Sequence, residues 1–222
     1  MNGPVNDDWM DTTREAPEFR LDVGFYCPDY APTRFSRNDG GREESGIATS
    51  PFSLVNGFVL SSEAQGREDE LSAYYRRLLE RGSPFSSDVR VRQFQCLDVD
   101  LFVTFKDEHP LRIEQFGAAA LGCKELLSQL ANRQEPAGEL YDNLDQGWAL
   151  RILLSAEEVF SLEWDWEGPE DWKTHARALR FDRRRLGEQA EAALSRLLVV
   201  HRRLVESIGE DYWNTPPRIA LR

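Results

Sequence analysis

Three histidines, three cysteines and one close pair of aspartates are the residues of this 222-residue chain with the most chemistry open to them. His109 stands in the charged tetrad Asp107-Glu108-His109-Pro110, a turn sequence. A solvent-exposed ring is the plain expectation there, because catalysis needs further placed groups. His175, in Trp172-Lys173-Thr174-His175, has no acidic, serine or cysteine partner at a recognisable spacing. Asp98 and Asp100 stand two apart in an alternating run and so share one face of a strand. Paired carboxylates suit a divalent cation or general acid–base work. No further ligands accompany them, and Arg90 and Arg92 lie close enough in sequence to neutralise them, which favours an ion-paired, solvated edge. Cys27, Cys96 and Cys123 are odd in number, far apart, and form neither a CxxC nor a Cys/His cluster at zinc spacing, the pattern of reduced thiols in a cytosolic protein. Walker A, GxGxxG, Ser-His-Asp and Cys-His signatures are missing. No catalytic residue, metal site or cofactor is therefore expected.

His201 follows Arg196 with four residues between them, Arg196-Leu197-Leu198-Val199-Val200-His201, late in an apolar-striped helix. This element resembles the Arg-x4–6-His motif of HEPN ribonucleases. The resemblance implies an alternative function, a hydrolase or HEPN-like ribonuclease in which Arg196 and His201 act at an RNA phosphodiester. The position after the arginine, polar in that family, is Leu197 here. On a helix His201 falls about 40° from Leu197, near the middle of the apolar stripe. A buried ring bonded to a carbonyl is the simpler expectation.

The charge balance, 27 basic against 39 acidic residues for a net −12, opposes that alternative. Phosphate binding needs a basic footprint, and an anionic membrane surface makes the same demand, so neither nucleic acid nor membrane is an expected partner. An acidic chain attracts basic proteins and raises its encounter rate with them. The first residues lack a basic segment followed by an apolar one, and no apolar run approaches the roughly 20 residues that span a bilayer. These features predict a cytoplasmic protein.

The elements that would position such groups read as follows. Residues 1–16 are polar and predict a flexible arm, and residues 17–222 a single domain with a long polar loop near 28–50. Phe19, Leu21, Val23 and Phe25 predict a strand, 52–60 a bulged strand or tight hairpin at Asn56-Gly57, 89–92 a short strand, and Leu97 to Phe105 the clearest single strand. A helix is predicted from Glu68 to a stop at Gly82, a second over 114–132, and a third from about Phe181 or Arg183 to Ile208, with Asp182 as N-cap and Gly209 as terminator. The strongest pattern is Asp145 to Glu167. Trp148, Leu150, Ile152 and Leu154 alternate along one strand, and Phe160, Leu162, Trp164 and Trp166 along the next, with Ser155-Ala156-Glu157-Glu158 between them. An antiparallel hairpin is predicted, with the aromatic and aliphatic side chains forming one wall. Glu163, Asp165 and Glu167 then leave the opposite face, wet or paired, where charge reversal is expected to cost little. Hairpins with about three helices packed on a mainly antiparallel sheet make the class α+β.

What remains is an acidic display, Glu157, Glu158, Glu163, Asp165, Glu167, Glu170 and Asp171, interleaved with Trp164, Trp166 and Trp172. A charge run is often only a solvated face, yet fixed carboxylates beside aromatic rings suit a surface for a basic protein. The stretch Leu144-Asp145-Gln146-Gly147-Trp148-Ala149-Leu150-Arg151-Ile152, an acidic turn and Gly-Trp leading into a strand, resembles the turn and strand of several immunity proteins of bacterial polymorphic-toxin systems. That resemblance implies a non-catalytic, cytoplasmic α+β protein whose partner is a basic toxin domain. Inhibition would come from occluding the toxin's active site. The contact residues expected are Glu157, Glu158, Glu163, Asp165, Glu167, Glu170, Asp171 and Trp172.

Overall fold

Phe19, Leu21, Val23 and Phe25 turn to one side of a strand and are buried there, as their period of two requires. The computed structural model describes residues 14–15, 18–27, 50–81, 98–106, 108–115, 120–145, 148–165, 177–209 and 211. Its strands are β1 (Arg14–Glu15), β2 (Phe19–Tyr26), β3 (Phe58–Leu60), β4 (Val99–Phe105), β5 (Leu111–Gln115), β6 (Gly138–Asp145), β7 (Trp148–Leu154), β8 (Glu158–Asp165) and β9 (Arg177–Asp182). The helices are α1 (Ser61–Ala64), α2 (Glu68–Arg81), α3 (Ala120–Ala131) and α4 (Arg183–Ile208). The fold is α+β, with two sheets. One runs β3-β2-β4-β5, antiparallel throughout; the other runs β1-β9-β8-β7-β6, antiparallel except that β1 lies parallel to β9.

A single core joins both sheets to the helices. Leu21, Val23, Leu101 and Val103 from the first sheet, Ile152, Val159 and Phe181 from the second, and Leu71, Tyr74, Leu127, Leu197 and Val200 from α2, α3 and α4 belong to one buried cluster. Phe19 meets Phe181 edge-on at 4.8 Å where the sheets adjoin. The thiols of Cys27 and Cys123 are buried in the same core. The α4 stripe of Leu186, Ala190, Ala193, Leu197, Val200 and Leu204 is buried as its spacing requires. Asp182 caps α4 by accepting from the Arg185 N–H at 2.7 Å, and Gly209 ends it in the left-handed region at φ 84°. Asn56 and Gly57, at φ 51° and 84°, form the tight turn that pairs Val55 with Phe58.

Several expectations need correction. Arg14 and Glu15, assigned to a flexible arm, pair with Leu179 and Arg180 as β1. The helix expected over 114–132 spans Ala120–Ala131, while Glu114 and Gln115 belong to β5, where Leu111 and Ile113 alternate with Arg112 and Glu114 against β4. Strands β6 and β9 were not anticipated; each is fixed by its pairing with the hairpin. The hairpin itself is antiparallel as expected, with Leu154 opposite Val159.

Its two apolar runs, however, do not share a face. Leu150 stands opposite Glu163 and Ile152 opposite Ser161, whereas Leu153 faces Phe160 and Arg151 faces Leu162. Cross-strand partners point to the same side, so Leu150, Ile152 and Leu154 enter the main core with Val159, and Phe160 and Leu162 form a second cluster behind the sheet. The reason is parity: the four residues Ser155 to Glu158 close the turn, and one more or one fewer would exchange the faces. The predicted strand at 89–92, the polar loop over 28–49 and residues 1–13 of the arm lie outside the described residues.

Candidate functional site

The acidic residues of the hairpin divide by surroundings. Glu157 is exposed at the tip of the β7–β8 turn. Glu158 is half-buried at the start of β8 and lies 3.6 Å from the guanidinium of Arg180 across the sheet. Glu163 is a different case. Its side chain is 12% exposed, on the core-facing side of β8, and it forms an ion pair with its cross-strand partner Arg177. The same guanidinium donates to the backbone oxygen of Arg112 on β5 at 2.6 Å. Glu163 is thus a strut between the two sheets. Its charge reversal is therefore expected to cost more than at an exposed glutamate, since its partner would be left uncompensated in a sheltered site. Asp165 ends β8 opposite Trp148 in the register. Glu167, Glu170, Asp171 and Trp172 lie outside the described residues. Trp164 is half-buried behind the sheet with the Arg151 guanidinium 6.0 Å from its ring.

Arg196 and His201 are both held, by different elements. Arg196 Nη2 donates to the Leu21 oxygen at 2.9 Å and lies 3.5 Å from Asp22, while its Nε donates to Ser61 at 3.1 Å. It clamps α4 to β2 and to the start of α1. The Asp22 carboxylate is fully buried and accepts from the Ser62 N–H at 3.1 Å and from the Ser61 hydroxyl. His201 points about 140° away around the helix. Its Nδ1 lies 2.8 Å from Nζ of Lys124 on α3, and its Nε2 lies 2.9 Å from Oδ1 of Asp211 beyond the helix end. The expected carbonyl partner is replaced by two charged side chains. The shared action of Arg196 and His201 on a phosphodiester draws no support from this arrangement.

Asp98 is half-buried and Asp100 buried, so the pair is not the solvated edge expected. Asp100 is buried and forms an ion pair with Arg112 on the neighbouring strand β5. Arg90 and Arg92, the expected partners, lie outside the described residues. Burial pushes the Asp98 carboxyl up to about 7, the charge of Asp100 adds to the rise, and Arg112 opposes it. The Arg112 guanidinium also sits 5.3 Å from the Phe58 ring, which packs on Phe102 at 5.4 Å. His109 is exposed, as expected for its turn.

Sequence reading missed Arg112, Arg177 and Lys124, because each finds its partner on another element, and Asp211, which folds back on His201 from just beyond the end of α4. No local pattern in the sequence singles out Lys124 from Lys106 and Lys173. Among the described residues no helix is long and apolar enough to cross a membrane. Comparison with protein-family models, with curated proteins and with solved structures finds no match.

Proposed function

We propose that this chain is a non-catalytic binding protein of the immunity type, which neutralises a cognate basic toxin domain by covering its active site with an acidic surface. One observation carries the reading: among the described residues the sheltered carboxylates Asp22, Asp100 and Glu163 are held by arginines, while acidic side chains stand exposed at the turn end of the hairpin sheet. Arg196 and Arg20 pair with Asp22, Arg112 with Asp100 and Arg177 with Glu163. Arg183 is spent on backbone oxygens of Ser155 and Glu135. The whole chain carries a net charge of −12, and its exposed acidic residues include Glu157 at the tip of the hairpin turn and Glu139, which lies 3.3 Å from Arg151. Such a field steers a basic partner toward the surface and weakens with salt. Localisation in the cytoplasm of a bacterium belongs to the same reading.

The test is co-purification of the protein from its native cell, with identification of any protein bound in stoichiometric amount. A basic partner, released as salt is raised, is the expected outcome. Glu157→Lys with Glu158→Lys should leave the protein folded, since exposed pairs contribute only about 0–1 kcal/mol, and should weaken that complex. A partner that is not basic, a complex indifferent to both salt and charge reversal, or recovery of the free protein alone would refute the proposal.

A further inference from the structure

Three of the 27 basic residues are lysines, and Lys106 and Lys124 are the two among the described residues. Lys106 is 71% exposed and lies 3.6 Å from Glu18. Lys124 is half-buried on α3 with its amine 2.8 Å from His201 Nδ1. The other ring nitrogen of His201 is 2.9 Å from the Asp211 carboxylate. An ionised carboxylate only accepts hydrogen bonds, so Nε2 carries the ring proton and Nδ1 turns a lone pair toward the lysine. The His201 side chain is 12% exposed, which keeps this lone pair largely out of bulk water. The sequence of groups is carboxylate, imidazole, amine, in the order that elsewhere activates a hydroxyl or thiol nucleophile.

We infer that Lys124 is an acyl-accepting amine, a covalent modification site in which His201 is the general base and Asp211 the positioning residue, with an acyl thioester as donor. Nζ attacks the carbonyl carbon of the thioester, forming the C–N bond as the C–S bond breaks. The proton lost by Nζ passes to Nδ1 of His201 and from there to the departing sulfur. The products are an amide and a thiol, and no oxidant or reductant is consumed. Asp211 stabilises the imidazolium that exists between the two transfers. Burial pushes the Lys124 ammonium below the ordinary lysine range, while the charges of Asp211 and Cys123 act against that shift. The amine thus has a larger neutral, nucleophilic fraction near neutrality than burial-free lysine. This site shares no residue with the proposed contact set and does not depend on that reading.

The experiment uses the full chain, the acetyl thioester of N-acetylcysteamine as probe, and peptide mass spectrometry to follow each lysine. Near neutral pH Lys124 is expected to acylate about tenfold or more faster than Lys106, within the range that a placed base supplies. His201→Gln should bring Lys124 to the Lys106 rate or below it and leave Lys106 unchanged as an internal control. Asp211→Asn should slow Lys124 and move its pH profile, and Asp211→Glu should restore both. Acylation of Lys124 no faster than of Lys106 overturns the inference, as does a rate indifferent to His201→Gln in a variant that melts like the parent. If His201→Gln melts early, the pH profile of the parent decides. A midpoint below the ordinary lysine value of about 10.4 supports the site, and a midpoint at or above it overturns it.

Discussion

In Glu163→Lys an ammonium would face the Arg177 guanidinium in a site that is 12% exposed on the glutamate side and 34% on the arginine side. Breaking a fully buried pair costs about 3–5 kcal/mol; the partial exposure of Arg177 reduces this to about 2–3 kcal/mol. Urea unfolding of Glu163→Lys beside Glu157→Lys checks it, because the exposed turn position should shift stability by no more than about 0.5 kcal/mol. Asp98 yields a prediction in pH. Its folded carboxyl titrates at about 7 against an ordinary 3.8, so between those values the native state holds a proton that the unfolded chain has released. Stability contributed at this residue therefore falls as pH rises through that window and is level above it. Asp98→Asn removes the dependence. Its unfolding free energy should exceed the parent's by a margin that widens from about pH 4 to pH 7 and then stays constant, reaching on the order of 2–4 kcal/mol. A margin that is flat across the window would mean that the aspartate is not desolvated.

Among the elements, α4 has its ends marked most plainly. Asp182→Ala deletes the side-chain acceptor for the Arg185 N–H and should cost about 1 kcal/mol in denaturant melts. Both ends of α4 were legible in sequence because capping is local chemistry: Asp182, the stripe to Ile208 and Gly209 are contiguous. The Asn56-Gly57 turn was legible for the same reason. Strand β9 was not, because Arg177-Ala178-Leu179-Arg180-Phe181-Asp182 has no clean alternation and is held by its ladder to β8. The faces of the hairpin were equally hidden. Each run alternates, but whether the two runs meet depends on the turn count, and that choice is made by the core into which Leu150, Ile152 and Val159 pack. The environment of Glu163 followed from that parity, so an acidic strand face in the sequence became an inter-sheet ion pair in the fold. Asp211 reaches His201 from just beyond the end of the same helix, whereas Lys124 meets His201 only because α3 lies along α4, a contact that no local pattern encodes.

At the scale of the whole molecule, the core is assembled from opposite ends of the chain. Arg196 of α4 grips the backbone of Leu21 on β2, Gln189 accepts from the Leu21 N–H at 3.4 Å, and Phe181 packs on Phe19. Even β1, at residues 14–15, finds its place only beside β9. This arrangement has a consequence in time. A ribosome adds roughly 5–20 residues per second, so β2 emerges about 10–40 seconds before the helix that covers it. Through that interval Phe19, Leu21, Val23 and Phe25 have their sheet partners β3 and β4 available, but α4, which shields their face, is still unmade. The nascent chain therefore carries this apolar sheet face without its cover until Arg183–Ile208 has been made.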